Sequence, residues 1–121
     1  MKLNYKIYAV DFDQTLAFWE WPLAEEPNLK LISQLINLQA DGDKIILWTC
    51  RTGEPLKIAI DLCKHSGLEF DAINENLPDV LEMYENVDSR KITADYYIDD
   101  KSLLPDMARL GERYATRTPK T

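Results

Sequence analysis

The stretch Lys6-Ile7-Tyr8-Ala9-Val10-Asp11-Phe12-Asp13-Gln14-Thr15 decides how the rest of the chain is read. Lys6 to Val10 is short, apolar and rich in residues that suit a strand, and it stops at Asp11. Downstream, Lys44 to Thr49 (Lys-Ile-Ile-Leu-Trp-Thr) is a second such run with no polar alternation. A strand that is apolar on both sides is covered on both faces, which points to a parallel sheet. Between the two runs, Leu29, Ile32, Leu35, Ile36 and Ala40 recur at one-face helical spacing from Asn28, and Asp41-Gly42-Asp43 is a stop and turn. Pro55 suits the first turn of a second helix, lined by Leu56, Ala59, Ile60 and Cys63 and ended by Gly67. Phe70 to Ile73 reads as a third strand, Pro78 to Tyr84 as a helical turn or two, and Tyr96 to Ile98 as a last strand running into Asp99-Asp100. The order β-α-β-α-β-α-β predicts an α/β fold, a three-layer Rossmann-like open parallel sheet.

A chain of 121 residues has room for one domain, spanning 1–121. Its formal charge of −7 opposes unaided association with a polyanion or an anionic membrane surface, so any phosphate it handles needs positive charge supplied locally. The N-terminus has no signal-peptide core and no apolar run approaches the ~20 residues of a membrane span, which sets the expectation of a cytoplasmic protein with no membrane contact. Cys50 and Cys63 make neither a paired metal-ligand motif nor a disulfide framework and read as reduced thiols.

In an open parallel sheet, ligands bind beyond the carboxyl ends of the strands. Those ends are polar here: Asp11-Phe12-Asp13-Gln14-Thr15, Thr49-Cys50-Arg51-Thr52-Gly53 and Asp99-Asp100-Lys101. Four carboxylates gathered at one sheet edge repel one another, and a hard divalent cation with oxygen ligands is the usual remedy. Mg²⁺ is the natural candidate, with Asp11, Asp13, Asp99 and Asp100 as its ligand set. A lone Asp-x-Asp after a strand is often incidental; the weight lies in the combination.

At these residues the sequence resembles the haloacid dehalogenase superfamily, whose phosphatases carry a strand ending Asp-x-Asp-x-Thr, a strand ending Ser or Thr, a Lys, and a strand ending in acidic residues. The matching parts are Val10-Asp11-Phe12-Asp13-Gln14-Thr15-Leu16, Leu47-Trp48-Thr49, Lys91 and Tyr97-Ile98-Asp99-Asp100, over positions of about 5 to 104. Arg90-Lys91-Ile92 and the run Ala94 to Lys101 are similar to small bacterial and phage members, including phosphatase-like proteins of capsule biosynthesis. The resemblance implies a haloacid dehalogenase-like core. Gln14 departs from the Gly most often found there, which restricts the turn. Lys91 stands closer to Asp99 than in many relatives, leaving Arg90 as the alternative for its role.

Attack by a carboxylate on a dianionic phosphate monoester brings like charges together, so positioning and charge neutralisation must supply most of the rate. Asp11, at the strand tip, is the expected nucleophile, passing through an aspartyl-phosphate. Asp13, two residues on, is the expected general acid and base. The resemblance makes the backbone carbonyl of Asp13 a metal ligand and gives Asp99 or Asp100 the remaining protein ligand, with Asp99 preferred. Thr49 and Lys91 are the expected partners of the phosphoryl oxygens. Arg51 either holds substrate phosphate by its planar fork or is a solvated cation at a helix start. The expectation is a Mg²⁺-dependent phosphohydrolase acting on a small phosphomonoester such as a sugar phosphate or a nucleotide. Phosphatase action on polymer ends, a nucleic-acid or glycan phosphate, is the alternative. A catalytically idle interaction domain is the third reading, kept open by Gln14. A receiver module of a response regulator is excluded, because there the acidic pair comes first along the chain and here it comes last.

Only 35 residues separate Asp13 from Thr49, and 41 separate Thr49 from Lys91. A cap domain of roughly 50 residues or more fits in neither interval. The site is therefore expected to be open, covered only by Ala17 to Pro27 or by a second subunit of a homo-oligomer. Phe18, Trp19 and Trp21 in that segment either stack on substrate or simply pack. His65 suits a helix C-terminus and Cys50 a packing role, and the basic tail with Arg113, Arg117 and Lys120 reads as a solvated end.

Overall fold

The structure, a computed structural model, describes residues 3–19 and 25–103. Trp21 and the tail cations Arg113, Arg117 and Lys120 lie outside the described residues. The elements follow in the order β1 (Ile7–Val10), β2 (Ala17–Phe18), β3 (Glu26–Pro27), α1 (Leu29–Ala40), β4 (Lys44–Leu47), α2 (Gly53–His65), β5 (Ala72–Ile73), α3 (Pro78–Met83) and β6 (Tyr96–Ile98). Four strands form one sheet in the order β5-β4-β1-β6, with every neighbouring pair parallel. Among the described residues, no helix is long and apolar enough to cross a membrane.

The apolar runs at β1 and β4 have a direct physical meaning. Successive strand residues point to opposite faces. Val10, Ile45 and Leu47 go to one face, where Ile32 and Leu35 of α1 and Ala59 and Cys63 of α2 cover them. Ile7, Ala9 and Ile46 go to the other, against Leu77, Val80 of α3 and Ile92. Helices thus lie on both faces of the sheet, giving three layers.

The chain runs outward from β1 through β4 to β5, then returns to add β6 on the other side of β1. The strand order therefore reverses at β1, and a crevice opens at its carboxyl end, beside Asp11.

Three local features differ from expectation. Strand β4 stops at Leu47 rather than Thr49, because the Thr49 N–H donates to the side chain of Asn74 (2.8 Å) instead of continuing the ladder. Strand β5 is limited to Ala72–Ile73, since Asp71 meets β4 partly through its side chain, whose Oδ2 accepts from the Ile45 N–H at 2.7 Å. Between β1 and α1, β2 and β3 pair as a short antiparallel ribbon. Asn28 joins that ribbon to the helix: its Nδ2 donates to the Thr15 carbonyl (2.9 Å), and its Oδ1 accepts from the Leu31 N–H at the start of α1 (3.3 Å).

Candidate active site

Main-chain bonds fasten the carboxyl ends of β1, β4 and β6. The Asp11 N–H donates to the Ile98 carbonyl and the Trp48 N–H to the Val10 carbonyl, each at 2.9 Å. The chain then turns sharply. The carbonyl of Phe12 accepts from the N–H groups of Thr15, Leu16 and Ala17, while the Gln14 N–H donates to the Ala17 carbonyl at 2.8 Å. Gln14 sits in the left-handed region with φ 59°, the conformation for which glycine is the usual choice. Phe12 is fully buried, so Asp11 and Asp13, on either side of it, fall outside the core. The bridge between Asp13 and Ala17 uses the peptide groups flanking Asp13 and, among the described residues, leaves its own carbonyl unused.

Asp11, Thr49 and Asp99 line one recess of about 390 Å³, together with Trp48, Cys50, Lys101 and Ser102. Burial pushes the Asp11 carboxyl above its ordinary value; the Phe12 N–H pulls it down, and the negative charges of Asp100, Asp13 and Asp99 add to the rise. Among the described residues Asp11 has no cationic partner. The Thr49 hydroxyl accepts from the Arg51 N–H (3.1 Å), which leaves its own proton to donate.

The other expected residues are disposed differently. Asp13 is gripped by Arg51, whose Nε donates to Oδ2 (3.0 Å) and whose Nη2 donates to Oδ1 (2.7 Å), and the Trp19 indole N–H donates to Oδ1 (3.2 Å). These bonds from Arg51, against the opposing effect of burial, hold Asp13 below the usual carboxylate range. Arg51 also donates to Glu25 and to the Pro55 carbonyl, and its guanidinium lies 4.5 Å from the centre of the Phe12 ring. Of the two roles open to Arg51, that of a solvated helix-start cation is overturned: it is a part-buried clamp on two carboxylates.

Asp99 folds back on its own turn. Its Oδ1 accepts from the N–H groups of Lys101 (2.8 Å) and Ser102 (2.7 Å), and its Oδ2 from the Ser102 hydroxyl (2.7 Å). The Ser102 bond, above all, keeps it below its ordinary value. Asp100 comes first among the like charges acting on Asp11, and among the described residues it makes no such hydrogen bond. Lys91 lines a neighbouring recess of about 810 Å³ with Asp99, Ser102 and Trp48, its Nζ 5.1 Å from the centre of the Tyr97 ring. Among the described residues that line the Asp11 recess, the cation is Lys101. Arg90 is exposed, His65 occupies the last turn of α2, and burial pushes the Cys63 thiol up to about 12.

The sequence alone assigns no role to Glu25, Asn74 or Lys101. Lys101 was visible as the residue after the acidic pair. Glu25 and Asn74 reach partners 26 and 25 residues away in the chain, and no local spacing encodes that.

Among the described residues, no three acidic, histidine or cysteine side chains are grouped so as to hold a metal ion. A Mg²⁺ fits this edge only with a mixed shell of a side-chain oxygen or two, a main-chain carbonyl and water, an arrangement usual for that ion. The Asp11 carboxylate and the unused Asp13 carbonyl are donors of the right kind.

The fold and the site thus define an open parallel α/β domain with an acidic crevice at its switch point. Comparison with solved structures finds a conserved protein coded by a locus of Bacteroides thetaiotaomicron, 35% identical, covering 98% of this chain and 93% of that one, with a TM-score of 0.69. The chain belongs to the same family as that protein. No family model matches the sequence, and no curated protein does.

Proposed function

We infer that the protein is a phosphohydrolase of the haloacid dehalogenase type, using Mg²⁺ and an aspartyl-phosphate on Asp11 to hydrolyse a small phosphomonoester. The observation that carries this reading is the position of Asp11. It lies at the tip of the central strand, at the switch point, without a cationic partner among the described residues, and in a recess shared with Thr49 and Lys101. A carboxylate so placed is free to attack.

In the first step an Asp11 oxygen bonds to phosphorus while the ester bond breaks, and Asp13 gives a proton to the leaving oxygen. In the second, water attacks the same phosphorus as Asp13 takes its proton, the acyl-phosphate bond breaks, and Asp11 is restored. Asp13 is deprotonated while Arg51 grips it, which suits the second step. The first requires that the grip loosen. Thr49 donates its hydroxyl to a phosphoryl oxygen, and Lys101 offsets charge in the recess, with Lys91 the alternative cation from the neighbouring one. Mg²⁺, held by Asp11, the Asp13 carbonyl and Asp100 in preference to Asp99, would neutralise phosphate charge when bound. Asp100 is preferred because the Asp99 oxygens already accept three hydrogen bonds within their turn.

The net charge of −7 favours a small substrate over a polymer end. Hydrolysis of an aryl phosphate tests the reading. Turnover with Mg²⁺ that EDTA abolishes and added Mg²⁺ restores is expected; equal rates with and without EDTA would remove the metal, and no turnover on aryl, sugar or nucleotide phosphates would remove the small-substrate reading.

A further inference from the structure

Arg51 is nearly saturated. A guanidinium carries five N–H donors, and here Nε serves Asp13, Nη1 serves the Pro55 carbonyl, and Nη2 serves both Asp13 and Glu25. Four of the five are engaged, and both N–H groups of Nη2 are among them, so a new anion reaches Nη2 only by replacing one of its partners. The two carboxylates are not equivalent. Asp13 takes two arms of the fork and is fixed by the tight turn after β1, where Gln14 and Ala17 are hydrogen bonded. Glu25 is met by Nη2 alone and comes from the short ribbon, next to β3. Two carboxylates on one guanidinium also leave the group with a net negative charge, so one is in excess.

We propose that Arg51 is an anion-binding residue held in reserve by Glu25, which occupies Nη2 until a phosphate displaces it. This goes one step beyond the hydrolase reading and rests on it for the identity of the anion. Glu25 then sets the affinity of the site and its selectivity, because a ligand must compete better than a carboxylate for the Nη2 N–H that Glu25 holds. A doubly charged phosphoryl group does; a neutral sugar does not.

The test uses inorganic phosphate with the full chain, followed by NMR at the Arg51 Nε–H resonance. Glu25→Gln is expected to tighten phosphate binding by about threefold to tenfold, the range of a part-exposed ion pair. Glu25→Ala should do the same, and KM for an aryl phosphate should fall in parallel. Glu26→Gln removes the same charge one residue along, at an exposed position that makes none of the Arg51 contacts, and should change affinity far less. Unchanged or weaker binding in both Glu25 variants would overturn the proposal, as would an equal gain in Glu26→Gln. If Glu25→Gln tightens phosphate binding in a protein that hydrolyses nothing, the subsite stands and the hydrolase reading falls. If the protein hydrolyses phosphate esters and neither Glu25 variant changes phosphate binding, the hydrolase reading stands and the subsite falls.

Discussion

Asp11 and Asp13 show how two carboxyls separated by one buried phenylalanine acquire opposite properties. Asp11 is held above its ordinary value by burial and like charges, and Asp13 below it by Arg51. The consequences for stability have opposite signs. Asp11's charge destabilises the fold above its raised pKa, and the penalty disappears as pH falls through that value. Asp13 contributes stability that is complete above the unfolded carboxylate value and is lost as pH falls through its depressed one. Asp11→Asn should therefore melt higher than wild type at pH 7, with the advantage fading toward the ordinary value of 3.8, whereas Asp13→Asn should melt lower at pH 7. Thermal melts from pH 7 down to pH 3 check both; an Asp11→Asn protein that melts lower at pH 7 contradicts the assignment. Gln14 offers a second check. Its φ of 59° suits glycine, so Gln14→Gly should be neutral or stabilising by up to about 1 kcal/mol, while Gln14→Val should lose about 1–2 kcal/mol. The restriction on this turn was legible in the sequence as a glutamine where glycine is usual. The Arg51 clamp was not, because only the folded chain brings Glu25 and Asp13 to the same guanidinium.

The strands were legible in proportion to their burial. Strands β1 and β4 are covered on both faces, so burial wrote uninterrupted apolar runs into them. Strands β2 and β3 have two residues each, too few for any period to register. The amino ends of the strands carry a pattern that the sequence did not announce. Asp43 before β4, Asp71 before β5 and Asp95 before β6 each accept a main-chain N–H from the neighbouring strand or the residue leading into it, those of Lys6 (2.9 Å), Ile45 (2.7 Å) and Ile7 (2.8 Å). Acidic residues at the two edges of the sheet thus do different work: at the amino edge they complete its hydrogen bonding, and at the carboxyl edge they repel one another. Asp71→Ala and Asp95→Ala should each cost about 1–3 kcal/mol, the penalty for stranding a part-buried N–H. Hydrolysis per folded molecule should persist. Urea melts beside activity assays measure both, and a loss of turnover without a loss of stability would place these residues in the site instead.

The strand order β5-β4-β1-β6 is what assembles the crevice, since it sets the ends of β4 and β6 on either side of β1. Residues far apart in the chain, Asp11, Thr49 and Lys101, meet there because the sheet is parallel and every strand delivers its carboxyl end to the same edge. A cation that binds only the folded chain and relieves carboxylate repulsion should stabilise it. Millimolar Mg²⁺ is expected to raise the melting temperature of wild type and to have a smaller effect on Asp11→Asn; no shift in wild type would count against the ligand set. Every catalytic role proposed for the crevice depends on the chemistry at Asp11. The direct measurement is acid quenching during turnover of an aryl phosphate with Mg²⁺, then mass spectrometry of the peptide bearing Asp11. A phosphoryl adduct on Asp11, labile to hydroxylamine, should appear in wild type, and Asp11→Asn should lose about a thousandfold or more in rate with no adduct. Turnover without any adduct, in an Asp11→Asn variant that keeps a tenth of the wild-type rate, would contradict the account.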